Sequence, residues 1–115
     1  MKVNPYLHFK GNCAEAIKFY EGAFGLKATV YPSEDGKSIL HADIGDIMFC
    51  DWEDAPATAN ISVSVAYDTT KEAKVVFDKL ATGGKIEQAI DKTDWSEYWG
   101  SLTDKFGIMW QVTVK

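Results

Sequence analysis

Two histidines and two cysteines are the side chains of this sequence best equipped for chemistry. His8 lies two residues after Tyr6, and His41 two residues before Asp43. A neutral imidazole in such company can ligate a divalent metal or act as a general base. The plainer account of each is a strand histidine that is solvated or hydrogen-bonded, and it is preferred, more firmly for His41, whose strand need not face the same side. Cys13 follows Asn12 at the start of a predicted helix, where the helix N-terminus can lower a thiol pKa. Cys50 closes the run Ile47-Met48-Phe49-Cys50. For both cysteines the simpler reading is a small packed side chain.

Other residue types extend the inventory. Trp95, Tyr98 and Trp99 cluster in a predicted loop before the last hairpin, where they could wall a ligand pocket or cover a sheet edge or dimer interface. Met48 and Met109 fill a pocket or a core. Glu34, Asp35, Asp51, Glu53 and Asp54 stand beside turns and read as solvated. No G-x-S-x-G nucleophile motif, no mirrored carboxylate pair and no glycine-rich strand-turn-helix for a nucleotide-like cofactor is present.

The elements that must position these residues come in two similar sets. Residues 3–10 alternate, with Val3, Pro5, Leu7 and Phe9 on one face and Asn4, Tyr6, His8 and Lys10 on the other. Residues 61–67 do likewise, with Ile61, Val63, Val65 and Tyr67 opposite Ser62, Ser64 and Ala66. Such alternation marks a strand with one buried face. Each strand precedes a capping-box pattern, Asn12-x-x-Glu15 and Thr69-x-x-Glu72, and then one helical apolar stripe. The stripes are Ala16, Phe19, Tyr20, Ala23 and Ala73, Val76, Phe77, Leu80, closed by Gly25 and by Gly83-Gly84. Strands are predicted over 27–31, 38–43 and 47–52, and again over 85–90, 100–103 and 108–114. The segments Asp43-Ile-Gly-Asp-Ile-Met-Phe-Cys50 and Asp104-Lys-Phe-Gly-Ile-Met-Trp-Gln111 share a hairpin signature. A duplicated βαβββ unit accounts for caps, stripes and hairpins matching in one order. Module 1 covers about 1–53, a connector 54–60 and module 2 about 61–115, within a single domain over 1–115.

Bulk properties narrow the function. With 115 residues, 46% of them hydrophobic, the chain suits one compact core. Its net charge is −5, and all 12 basic residues are lysine. An acidic chain without arginine is a poor nucleic-acid binder. No apolar run is long enough to span a bilayer, and the N-terminus shows no apolar signal region. A cytoplasmic protein with free thiols, and no membrane or nucleic-acid partner, is the expectation.

Specific phrases carry a resemblance. Asn4-Pro5-Tyr6-Leu7-x-Phe9-x-Gly11-Asn12-x-x-Glu15-Ala16-x-x-Phe19-Tyr20-x-x-x-Phe24-Gly25 resembles the opening of PhnB-like proteins of the glyoxalase/bleomycin-resistance/dioxygenase (vicinal-oxygen-chelate) superfamily. Trp99-Gly100-Ser101-Leu102-Thr103-Asp104-Lys105-Phe106-Gly107-x-x-Trp110 resembles their closing hairpin. The resemblance implies an α+β fold of two tandem βαβββ modules, each curling its strands into part of a barrel beside a cleft, within one chain or between two. In catalytic members it implies a divalent metal held by His, Glu or Gln from the first and last strands of each module. Those positions fall here near Tyr6 (Pro5 if the register shifts by one), at Ser64 (Ser62 under a looser alignment), near Cys50 and at Gln111. Neutral Ser and Gln with a protonated phenol are a poor donor set for such an ion. Some PhnB-like sequences carry a methyltransferase label for ubiquinone precursors, which no motif here supports.

The expectation is therefore a homodimeric small-molecule-binding protein without resident metal or other cofactor. Its ligand-binding cleft would be lined by Tyr6, His8, Cys50, Ser62, Ser64, Trp99, Met109 and Gln111. The alternative is a metal-dependent lyase, isomerase or dioxygenase of the same superfamily acting on a small oxygenated substrate.

Overall fold

The computed structural model describes residues 1–56 and 60–115. The chain divides into two compact units, Met1–Ala57 and Thr58–Lys115. Residues 57–59 of the expected connector lie outside the described residues.

In the first unit, β1 (Tyr6–Phe9) leads to α1 (Cys13–Phe24), then to β2 (Thr29–Pro32), β3 (Ile39–Ile44) and β4 (Ile47–Asp51). The sheet order is β1-β4-β3-β2, with β1 parallel to β4 and the other pairs antiparallel. Leu7 and Phe9 alternate inward as their spacing requires, while Val3 is exposed and the strand begins only at Tyr6. The buried face of α1 is Cys13, Ala16, Ile17, Tyr20 and Ala23, and Phe19 stays half-buried. Tyr20 stacks on Phe49 with centroids 5.6 Å apart, and Phe9 joins them at 6.4 Å from each. Burying a side chain of this size stabilises by about 1.5–3 kcal/mol, so this trio anchors the unit. Gly25 ends the helix in the left-handed region at φ 66° and donates its N–H to the Glu21 carbonyl, a position that suits glycine.

The α1 cap departs from the capping-box expectation. Asn12 makes no side-chain cap hydrogen bond. Asp51 at the end of β4 supplies the acceptor instead: its Oδ1 takes the N–H groups of Gly11 and Cys13, both at 3.0 Å. Its Oδ2 takes the Ile39 N–H at 2.9 Å. Asp51, expected to be a solvated acid, thus ties the helix start to β3 and β4.

The second unit repeats the order with β5 (Ser62–Tyr67), α2 (Thr70–Ala81), β6 (Lys85–Asp91), β7 (Trp99–Thr103) and β8 (Met109–Val114). Its sheet runs β5-β8-β7-β6, with β5 parallel to β8. Here the predicted cap forms, since Thr69 Oγ1 accepts the Glu72 N–H at 3.2 Å. The stripe Ala73, Val76, Phe77, Leu80 is the buried face as expected. Ile61 is exposed, and the strand starts one residue later than its alternation suggests. A Cβ on Gly100 would come within 2.7 Å of Ile90 Cα, so glycine lets β7 lie close to β6. Asp104, 3% exposed, accepts from Phe106 and Ile108 N–H and from the buried Trp110 Nε1 at 2.8 Å. A single carboxylate therefore holds both the loop and the largest core side chain.

Strand register aligns the halves residue by residue. Tyr6 pairs with Met48 and His8 with Cys50, while Ser62 pairs with Met109 and Ser64 with Gln111. Met48 and Met109 occupy the same place in the repeated Ile-Met-aromatic signature. Tyr6 therefore corresponds to Ser62, and His8 to Ser64. The stricter sequence alignment had set Tyr6 against Ser64, one residue pair out of register.

Candidate functional site

Each sheet packs one face on its helix and leaves the other free of it. On the helix-free face of the first unit, strand parity gathers Tyr6 and His8 from β1, Met48 and Cys50 from β4, and His41 and Asp43 from β3. His8 Nδ1 lies 3.1 Å from Cys50 Sγ. Tyr6 Oη lies 2.9 Å from His41 Nδ1, and His41 Nε2 lies 3.0 Å from Asp43 Oδ1. A carboxylate only accepts, so His41 Nε2 carries a hydrogen, and in that tautomer Nδ1 accepts the Tyr6 O–H. The Tyr6 ring stacks on His8 at 4.9 Å, and Trp52 meets the other side of His8 edge-on at the same separation.

The electrostatics of this face are set by its carboxylate and thiols. Partial burial, then Cys50 and Asp43, raise the Tyr6 pKa, so the phenol keeps its proton. Cys13 lies on the helix side of the same strands, fully buried, and its thiol is pushed up to about 12 by burial and by Asp51. The helix-terminus reading of Cys13 as an acidified thiol is thereby overturned: loss of water and a nearby carboxylate outweigh the helix dipole. Cys50, by contrast, is only partly buried and faces His8 on the helix-free face, so the filler reading does not hold for it.

His41 is hydrogen-bonded, as its plainer reading has it, but its strand does face the same side. It shares the face of Tyr6 and His8 and belongs to the same hydrogen-bonded cluster. The strand alternation that would have shown this is broken, because a register shift between Tyr31 and Pro32 opposite β3 leaves both Ile39 and Ala42 buried while Leu40 is exposed. Trp52, also part of this cluster, is not singled out by the sequence. The retained signal was the His41-Ala42-Asp43-Ile44 alternation, in which the two polar residues oppose two buried apolar ones.

The corresponding face of the second unit holds no titratable side chain at these positions. Register places Ser62, Ser64, Ser101, Thr103, Met109 and Gln111 where the first unit has Tyr6, His8, His41, Asp43, Met48 and Cys50. Gln111 Nε2 donates to Ser62 Oγ at 3.1 Å, and Gln111 Oε1 accepts from Trp99 Nε1 at 3.0 Å. Trp99 is the first residue of β7, not part of a loop, and Trp95 packs against it edge-on at 5.6 Å. The Tyr98 carbonyl accepts from Val114 N–H and from Thr113 Oγ1, which pins the preceding segment to β8. Ser64 is exposed and Met109 half-exposed on this face.

The fold, a pair of βαβββ units with these two faces, has known relatives. A family profile described as "Glyoxalase/Bleomycin resistance protein/Dioxygenase superfamily" matches residues 2–112, and the chain belongs to that superfamily. It is 30% identical to Protein YjdN of Escherichia coli strain K12, over 99% of this chain and 95% of that protein. The crystal structure of protein PA1353 from Pseudomonas aeruginosa superposes with a TM-score of 0.84 at 29% identity, covering 100% of this chain and 98% of that one. A PhnB protein from Bacillus cereus, described as a candidate 3-demethylubiquinone-9 3-methyltransferase, gives a TM-score of 0.76 at 26% identity with both chains fully covered. The PhnB-like resemblance of the opening and closing motifs agrees with these matches.

The superfamily implies a divalent metal in its catalytic members, and the donor chemistry here does not fit one. Gln111 has both ends of its amide engaged by neutral partners, and Ser62 and Ser64 bring no charge. Both nitrogens of His41 are engaged within the first unit. Among the described residues no three His, Cys, Asp or Glu side chains are grouped to hold an ion. Also among the described residues, no helix is long and apolar enough to cross a membrane.

Proposed function

We propose that this superfamily member is a small-molecule-binding protein that works as a homodimer without a resident metal. The observation that carries the reading is the Ser62–Gln111–Trp99 chain, in which the side chain at the expected metal position is a neutral amide held by a hydroxyl and an indole. A fixed amide beside indole and thioether surface is the usual make-up of a site for a flat, partly polar ligand. The unpaired edge strand β2, exposed along its whole length with Val30 and Tyr31, supports a further two-fold interface.

The test joins metal content with ligand binding. Protein purified without chelator is expected to hold no stoichiometric divalent ion, and Zn, Ni, Mn or Fe(II) to leave its melting temperature unchanged. From a panel of small phenols and aromatic acids, binders should quench tryptophan fluorescence. Trp99→Phe should remove most of that signal, and Ser64→Trp should abolish binding by filling the face. Full affinity in Ser64→Trp would refute the assignment.

A second reading, a metal-dependent lyase, isomerase or dioxygenase, draws on one observation: His8, His41 and Asp43 share a face. One metal ion per chain, lost in His8→Ala, would favour it.

A further inference from the structure

The two halves have diverged in a specific way. At matched register positions the first unit carries Tyr, His, His, Asp and Cys, and the second carries four Ser or Thr hydroxyls and Gln. The titratable groups of the first unit form two touching pieces, Cys50–His8 and Tyr6–His41–Asp43, joined by the Tyr6–His8 stack. Tyr6 lies two residues before His8 on β1, on the same face as Cys50. A thiol, a base beside it, and a hydroxyl oriented by an Asp–His pair are the parts of a nucleophilic site.

We propose that Cys50 is a nucleophilic thiol, with His8 as its base and the Tyr6 hydroxyl as hydrogen-bond donor, for small conjugated carbonyl compounds (enones and quinones). The inference goes beyond the binding reading and stands on the first unit alone. The class of electrophile follows from the surroundings. Tyr6, His8 and Trp52 offer flat aromatic surface for a planar conjugated molecule. β3 and β4 are interior strands whose backbone N–H groups serve the ladder, so an acyl-transfer oxyanion would lack a pair of free donors there. A conjugate acceptor develops its charge on a distant carbonyl oxygen, which one side-chain hydroxyl can meet.

The step balances without an external oxidant or reductant. The Cys50 proton passes to the His8 imidazole, and a sulfur lone pair forms the S–C bond at the β-carbon of the acceptor. The C=C electron pair moves onto the carbonyl oxygen as an enolate, toward which the Tyr6 hydroxyl turns its hydrogen from His41 Nδ1. The imidazolium then returns its proton to the α-carbon, leaving a thioether. Cys13 serves as the internal control, since it is fully buried and held in its protonated form.

N-Ethylmaleimide, itself a conjugate acceptor, is the probe, with each cysteine followed by peptide mass spectrometry. An unassisted thiol is only a few per cent ionised near neutral pH, so a neighbouring base can speed addition by about tenfold. Native Cys50 should therefore react about tenfold faster than Cys50 in the urea-unfolded chain, while native Cys13 stays unmodified. His8→Ala should remove the advantage and free imidazole restore part of it. His8→Asn should behave like His8→Ala with unchanged melting temperature, which separates loss of the base from loss of folding. Native Cys50 reacting no faster than in the unfolded chain, or unslowed in both His8 variants, would overturn the proposal and leave the binding reading intact.

Discussion

Replacing Asp51 by alanine should damage this protein far more than replacing Asn12, although the sequence pattern points to the opposite. Asn12 occupies the N-cap position of α1 but makes no cap hydrogen bond there. Asp51 receives three backbone N–H groups, from Gly11, Cys13 and Ile39, at 2.9–3.0 Å. Each hydrogen bond to a charged acceptor contributes at least about 1 kcal/mol net, so losing all three costs about 3 kcal/mol. For a chain of this size that is roughly 12–15 °C in melting temperature. Asn12→Ala should fall within about 0.5 kcal/mol of the parent, as an exposed substitution without partners does. Asp51→Asn, which keeps one acceptor oxygen but no charge, should lie between. Thermal unfolding followed by far-ultraviolet circular dichroism, with urea titration to check that the m-value is unchanged, measures all three. Equal losses for Asn12→Ala and Asp51→Ala would refute the transfer of the cap from the helix to β4.

Two further outcomes are expected. The Cys13 thiol is raised to about 12 in the folded protein from an ordinary value of 9.0. The folded chain therefore binds more protons than the unfolded one between those values, so stability is intact below pH 9 and declines as pH rises toward 12. Cys13→Ala should flatten that decline in alkaline urea titrations; an unaltered slope would show that another group is responsible. Light scattering at micromolar concentration should give twice the mass of one chain, and a monomeric mass would remove the edge-strand argument.

The fold was legible because its signals are local and repeated. Period-two alternation in β1 and β5 and the Ala73-Val76-Phe77-Leu80 stripe each specify a face without reference to anything distant. What escaped depends on contacts distant in sequence. The α1 cap comes from a residue 38 positions away from Cys13, and no capping-box rule can anticipate it. His41 was hidden for a related reason, because an irregularity in β2–β3 pairing upsets the parity that alternation relies on. For Cys50 strand parity points to the helix-free face and residue type points to burial, and residue type predicts burial only on average.

Duplication explains how one scaffold could come to hold two such different faces. The helix-facing positions are constrained alike in both halves, because Phe49 and Trp110 must each fill the space under a helix. The opposite faces do not pack on the helices, so substitutions there escape that constraint and are available to function. Neutral hydrogen-bonding groups at Ser62, Ser64, Ser101 and Gln111 can orient a ligand but cannot move a proton near neutral pH. His8, His41 and Cys50 at the matching positions carry imidazole and thiol groups that can do both, and Tyr6 adds a hydroxyl donor. Had both halves kept the same donors, a symmetrical metal site would be the natural use of the fold. With proton-transfer groups confined to one half and neutral ones to the other, the two faces are equipped for different chemistry.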